Sequence, residues 1–399
     1  MQDPPRPFAR WLRVATGLLV IVFFAGILQY SLLLPQVGAR GVLVDFDAFY
    51  IVGQLFHEGR VAQAYSAAVM AEIQHALVGH DGFMPWTYPP QFDLIALTLP
   101  MLPRGVAYGL FTGLSLAAYL FVLARLAGER LFWVLLALVP PIYVTVTIGQ
   151  NAFLTGALMG WFCLASLRGR TVAGWPLGLL VIKPHLGIGL GVQALAAARW
   201  RVLALAMAIV LASSALATGV LGADIWGAFV GGARQAGEAL RTEFYPLFRM
   251  TSIYAALHSL GASPAVALWV QTGVGVAACL AIVLAVRRGV RTAQTLAMAC
   301  FTSALVSPYL YDYDMVVTGI GLALVAADIA ARSTRLEQVL LLALLWVAGG
   351  WGMIHALAGA GLEWADRAAT ARETLSYGAF AYFLVLLLLW RILRRPVQA

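Results

Sequence analysis

Long apolar runs recur along nearly the whole chain, and they constrain its fold more than any motif does. Runs at 11–34, 105–127, 131–148, 151–167, 201–221, 263–286, 336–356 and 375–390 mostly approach or reach the ~17–25 residues that a membrane-spanning helix needs. Shorter apolar stretches flank Lys183 and Ser307. Of the 399 residues, 62% are apolar and 11% charged, against roughly 25% charged in soluble domains. Hydrocarbon leaves no water for unpaired backbone groups, so such runs fold as helices. The expected class is an all-α, polytopic integral membrane protein. The run at 11–34 is too long for a signal-peptide core and lacks a small-residue cleavage site, so it reads as an anchor.

Charge sets the topology. Arginines gather in short loops and tails: Arg6, Arg10 and Arg13; Arg125 and Arg130; Arg168 and Arg170; Arg199 and Arg201; Arg287, Arg288 and Arg291; Arg332 and Arg335; Arg391, Arg394 and Arg395. Placing all of these on the cytoplasmic side gives about twelve spans with both termini inside. The net charge of +8 is thus spread around the membrane rather than gathered on a face that would grip nucleic acid. Extracytoplasmic connections then cover 35–104, 222–262, a short turn at 307–314, and 357–374, and they hold most of the acidic residues. The first is too long for a simple connector. In it Phe49, Val52, Leu55 and Phe56, then Val69, Ile73 and Leu77, recur at helical spacing and predict two amphipathic interfacial helices. Pro85, Pro89 and Pro90 delay the next helix to about Gln91. No soluble domain or repeat interrupts the chain, so 1–399 reads as one transmembrane domain.

Polar chemistry concentrates in five short constellations. Asp45 and Asp47 follow the first span, where an ionised carboxylate can take a proton from an acceptor hydroxyl; the same pair suits a helix cap, or a divalent metal, although no third ligand is visible. Tyr88-Pro89-Pro90 offers a stacking wall or an interfacial belt. Gly149-Gln150-Asn151 places two amides at a tight helix junction, for sugar hydroxyls or for capping. Lys183-Pro184-His185 sets a lysine in an apolar stretch and predicts two short helices meeting at Pro184. A lysine there needs a partner: a lipid-linked phosphate, a protein carboxylate, or the interface. Ser307-Pro308-Tyr309-Leu310-Tyr311-Asp312-Tyr313-Asp314 packs three phenols and two carboxylates into eight residues, suited to hydrogen bonding and stacking on a sugar.

In this order, Asp45-Phe46-x-x-Phe49-Tyr50, Tyr88-Pro89-Pro90, Gly149-Gln150-Asn151, Lys183-Pro184-His185 and the Ser307–Asp314 stretch resemble the family 87 glycosyltransferases over roughly residues 10–335. These are multi-spanning GT-C fold enzymes using polyprenyl-phosphate sugars, and some members are mannosyltransferases of glycolipids. The resemblance implies an inverting hexose transfer to a lipid or glycan acceptor on the periplasmic or extracytoplasmic side of the inner (cytoplasmic) membrane. It places Asp45 as general base, with Asp47 its neighbour, and Lys183 facing the donor phosphate. Tyr50, Tyr88, Gln150, Asn151, His185, Tyr309, Tyr311, Asp312, Tyr313 and Asp314 are the accompanying substrate contacts. A polyprenyl phosphate leaves as a stable anion, so neither a strong general acid nor a metal cofactor is required.

Two other classes compete. A transporter or flippase of lipid-linked or small polar substrates also uses many spans and broken helices, but its polar groups would sit at the midplane rather than at one face. A polysaccharide polymerase or ligase would place function in a large late loop, whereas the longest outer connection here comes first. No phosphate-binding Gly-Lys-Ser/Thr loop or Gly-x-Ser-x-Gly elbow is present. Cys163, Cys279 and Cys300 lie in apolar runs as small buried residues. His57, His75, His80, His258 and His355 lack paired metal spacing and read as surface or interface residues.

Overall fold

The computed structural model describes residues 6–80, 83–242, 245–359 and 374–396. Asp81, Glu243, Glu363, Asp366 and Glu373, which fall within the expected outer connections, lie outside them. The described residues are helical with no β-strand among them; an isolated antiparallel bridge joins Met250 to Tyr311.

Six stretches have the length and polarity to cross a membrane: Arg10–Leu33, Arg104–Ala137, Trp200–Leu221, Pro264–Arg287, Asp312–Arg332 and Arg335–His355. The chain is a multi-pass membrane protein. The remaining apolar runs form helices of 10–17 residues, so full-length helices among the described residues account for six of the roughly twelve expected crossings. The reasons are local. The 131–148 run divides at Leu138 (φ −101°, ψ 2°) into α6 (Leu131–Ala137) and α7 (Val139–Ile148), because Pro140 and Pro141 lack the N–H groups that would continue it. Around Lys183 the chain forms α9 (Gly174–Leu179), two 3₁₀ turns, and α10 (Ile188–Ala196). Lys183 itself is off-helix at φ −148°, ψ 70°, as the proline after it demands.

Small residues let the bundle close. In α8 (Ala152–Leu167), a Cβ on Gly156 would meet Tyr119 of α5 (Arg104–Ala127) at 2.8 Å, and one on Gly160 would meet Val122 at 2.5 Å. This is the small-xxx-small contact that draws membrane helices together. Tyr119 then donates to the Val316 carbonyl at 2.6 Å, tying α5 to the 3₁₀ turn Asp312–Val317 that leads into α16 (Thr318–Arg332). Lipid-facing helices look different: α11 (Trp200–Leu221) and α14 (Pro264–Arg287) leave Met207, Leu211, Trp269 and Leu280 exposed. Exposed apolar side chains along a helix suit a hydrocarbon solvent.

The first long connection departs from its expected form. α2 (Asp45–His57) does not lie on a surface: Phe46, Asp47, Ala48, Phe49, Tyr50, Ile51, Val52, Gly53 and Leu55 are all buried. A helix buried on most of its circumference belongs inside, and Phe46, Tyr50 and Ile51 fill faces that the Phe49–Phe56 stripe leaves open. Its aromatic rings interlock with Tyr108, Trp86, Tyr88 and Phe92 at centroid distances of 5.1–5.8 Å. α3 (Ala67–Val78) buries only Met70 and Gln74. The Gln74 amide pairs with both backbone groups of Met84, at 2.8 and 2.9 Å, holding the extended segment before α4 (Pro90–Ala96). His258 is buried rather than superficial, its Nδ1 2.9 Å from the Ala262 carbonyl at the end of α13 (Ile253–Ser259). Cys163 and Cys300 are buried 3.8 Å apart as free thiols.

Gly149 ends α7 at φ 68°, in a left-handed conformation that favours glycine. A Cβ there would stand 2.6 Å from the Tyr108 ring and 2.7 Å from Phe46. Gly149→Ala is expected to lose about 2–5 kcal/mol from left-handed strain and overpacking together. A thermal unfolding midpoint in detergent equal to that of the wild type would contradict the packing described.

Candidate active site

Five chain-distant segments converge on Asp45. It opens α2, half-buried, and its Oδ2 accepts from the Gln150 Nε2 at 2.9 Å. The Gln150 Oε1 in turn accepts from the Tyr88 hydroxyl at 2.7 Å and the Asn151 backbone N–H at 2.9 Å. One side-chain amide thus aims the carboxylate and fixes the aromatic wall. Asn151 is fully buried beside them, and neither of its side-chain amide atoms has a hydrogen-bond partner among the described residues.

The late motif supplies the other side. Lys183 donates to the Asp314 Oδ1 at 2.6 Å and lies 5.0 Å from the Tyr313 ring centre. Of the partners open to a buried lysine, the protein carboxylate is the one observed. The second Asp314 oxygen is buried with no hydrogen-bond partner among the described residues. Tyr311 and Tyr313 stack in parallel with centroids 5.4 Å apart. Arg249, in the 3₁₀ turn Leu247–Arg249, grips Asp312 through two nitrogens at 2.9 and 3.2 Å and lies 5.7 Å from the Tyr311 ring. Burial pushes the Asp45 pKa above the ordinary carboxylate range; Arg249, the Gln150 amide and Lys183 pull it down, while Asp312 adds to the rise.

The remaining candidates do other work. Asp47 is buried against Arg104, whose Nε donates to it at 2.7 Å, and its other oxygen caps α2 through the Val44 N–H at 2.9 Å. Arg104 also donates to the Leu34 carbonyl at 2.7 Å. Tyr50 donates to the Leu102 carbonyl at 2.9 Å, and Tyr309 to the Ala236 carbonyl of α12 (Ile225–Arg241) at 2.6 Å. Both phenols tie connections together. His185 lies two residues past Lys183, its Nε2 buried with no hydrogen-bond partner among the described residues. Sequence reasoning overlooked Arg249, whose signal is a lone basic residue between apolar Phe248 and Met250. Among the described residues no three His, Cys, Asp or Glu side chains are grouped to hold a metal ion.

A helical membrane bundle with carboxylates, amides and cations gathered under an aromatic wall defines a membrane protein built to handle a polar group at its site. The model of glycosyltransferase family 87 matches residues 86–308, more than half of the chain, and the chain belongs to that family. It is a membrane glycosyltransferase. The match takes in Tyr88, Gln150, Asn151, Lys183 and Arg249; Asp45 and Tyr309–Asp314 lie beyond it. No curated protein and no solved structure matches the chain.

The two aspartates of α2 are therefore separable by stability. Arg104→Met leaves Asp47 buried without its cation and is expected to cost about 3–5 kcal/mol, seen as a lower unfolding midpoint in detergent. Asp45→Asn is expected to unfold as the wild type does. Equal midpoints for wild type and Arg104→Met would remove the structural role given to Asp47.

Proposed function

We propose that the protein transfers a hexose from a polyprenyl-phosphate donor to a lipid or glycan acceptor on the extracytoplasmic side, with Asp45 as general base and inversion at the anomeric carbon. One observation carries this reading: of the four aspartates in the two acidic motifs, Asp47, Asp312 and Asp314 are each neutralised by a cation, whereas Asp45 is held by a neutral amide. A carboxylate so placed keeps its basicity and points where the cations converge. In the transfer, Asp45 takes the proton of the acceptor hydroxyl. The freed oxygen attacks the anomeric carbon as the bond to the phosphate breaks, and the polyprenyl phosphate departs as an anion. Arg249 and Lys183 meet that charge, each sharing itself between its aspartate and the phosphate. Tyr88, Tyr311 and Tyr313 line the space for the sugar, and the Asn151 amide and the second Asp314 oxygen are placed to take its hydroxyls. Mannose is the sugar in some relatives of this type, but Tyr313 and Asp314 stand where those carry histidines, so a donor panel decides the sugar.

The test is a reconstituted assay of purified protein with radiolabelled polyprenyl-phosphate sugars. Asp45→Asn is expected to lower turnover roughly 10²–10⁴-fold with the unfolding midpoint kept; undiminished turnover removes Asp45 from the base role. Arg249→Gln and Lys183→Gln are each expected to raise the donor KM about tenfold or more, the worth of a charged hydrogen bond. An unchanged donor KM in both would contradict a phosphate between them.

The sign of the pH effect follows from the base role. Asp45 must be ionised to accept a proton, and its pKa is raised, so kcat/KM is expected to fall on acidification at a pH above the ordinary value of about 4. An acid limb at or below that value would contradict the environment described for Asp45.

A further inference from the structure

Behind the Tyr88 wall lies a carboxyl group that the transfer itself does not use. Asp93 on α4 is 1% exposed. Its Oδ1 accepts from the Trp86 indole N–H at 2.9 Å, and its Oδ2 lies 3.0 Å from the Tyr65 hydroxyl. That same hydroxyl lies 2.9 Å from the backbone carbonyl of Tyr88. Asp47, Asp312 and Asp314 show how this protein buries an ionised carboxylate, each against a cation. Asp93 is given only neutral donors.

Counting hydrogens decides its state. The Tyr65 phenol has one hydrogen, and the Tyr88 carbonyl is an acceptor alone. With Asp93 ionised, carboxylate and carbonyl compete for that single hydrogen and one of them goes without. With Asp93 protonated, its Oδ2–H donates to the Tyr65 oxygen, Tyr65 donates to the Tyr88 carbonyl, and Trp86 donates to Oδ1. Every group is then paired, which burial requires.

We propose that Asp93 works as a neutral acid, a positioning residue whose proton holds Tyr88 in place, and that its ionisation sets the alkaline limit of the transfer. The consequence reaches the site by contact. Tyr88 is held at its carbonyl by Tyr65 and at its hydroxyl by Gln150, and Gln150 holds Asp45. Loss of the Asp93 proton draws the Tyr65 hydrogen to the carboxylate, releases the Tyr88 carbonyl, and loosens the chain that aims the base.

The surroundings agree. Burial pushes the Asp93 pKa up to about 8, with the Tyr65 and Trp86 hydrogen bonds restraining the rise. α4 packs against α2, α11, α12 and the Leu180–Ile182 turn. On α2, Asp45 is turned to Gln150, Asp47 to Arg104, and His57 to the Leu97 carbonyl. Lys183, next to the turn, is held by Asp314. Arg201 on α11 and Arg234, Glu238 and Arg241 on α12 are exposed. Tyr65 is the titratable group that meets Asp93 directly, and burial raises its pKa too, so it keeps its proton.

The proposal rests on Asp45 as the base, and its test separates the two. In wild type, kcat is expected to fall on the alkaline side with a midpoint near pH 8. Asp93→Asn, whose amide oxygen can accept from Trp86 and whose Nδ2 can donate to Tyr65 as the protonated acid does, with one N–H to spare, is expected to stay within about threefold of wild type at pH 7 and to lack that fall. An unchanged alkaline limb in Asp93→Asn overturns the proposal. Unfolding supplies a readout without turnover. A carboxyl whose folded pKa is raised contributes stability that is full below its unfolded pKa and is lost as pH rises through the folded one. The midpoint of Asp93→Asn relative to wild type is therefore expected to climb between pH 5 and pH 9, and a difference constant with pH overturns the assignment even if no donor is turned over. If Asp93→Asn does not fold, infrared spectra of the wild type decide: a buried protonated-carboxyl band present at pH 7 and lost by pH 9.5 supports the proposal, and its absence at pH 7 overturns it.

Discussion

Charge buried inside an apolar bundle has to be paired, and this requirement organises the whole structure. Arg104–Asp47, Lys183–Asp314 and Arg249–Asp312 join residues 57, 131 and 63 positions apart. Each pair is a staple, because separating one would strand an ion in a medium that solvates it poorly. The first fixes the start of α2 against α5. The other two fix the late tyrosine-rich turn against the broken helix at Pro184 and against the Leu247–Arg249 turn. Asp45 sits where these staples meet without belonging to one, and that exclusion gives it a different chemistry.

Two carboxyl environments then divide the work. Asp45, half-buried and amide-held with cations nearby, is suited to accept a proton; Asp93, enclosed by neutral donors, is suited to keep one. Environments that push like groups apart are how a single residue type serves two roles. Gln150 and Tyr88 connect the two, so the placement of Asp45, the proposed base, depends on a hydrogen-bond chain that begins behind the aromatic wall. This arrangement also explains why α2 is buried: a helix on the membrane surface would leave Asp45 on a mobile platform, whereas Phe46 and Phe49 lock it among Tyr108, Trp86 and Phe92.

Much of this was legible before the structure. Apolar run lengths and arginine clusters mark a polytopic helical protein, and the break at Lys183-Pro184 follows from proline alone. Asp45, Tyr88, Gln150, Lys183 and the Tyr311–Asp314 stretch, singled out as residue types, do come together. Other features depend on partners that one segment cannot show. The pattern of α2 fits a surface helix until the aromatic residues of α4 and α5 close its other faces. Tyr50 and Tyr309 look like substrate contacts until the carbonyls of Leu102 and Ala236 claim their hydroxyls. Arg249 escapes notice because a lone arginine in a long connection looks solvated, and only the fold brings it to Asp312. Asp93 escapes for the opposite reason, since its significance lies in the cation it does not have.

The most direct measurement is a structure of the protein in lipid with a non-hydrolysable phosphonate analogue of a polyprenyl-phosphate sugar bound. The expected result is the phosphonate between Lys183 and Arg249, the sugar against Tyr88 and the Tyr311–Tyr313 stack, and the Asp45 carboxylate on the anomeric face opposite the phosphonate. An analogue bound with its phosphonate away from both cations, or with Asp45 remote from the anomeric carbon, would contradict the site described.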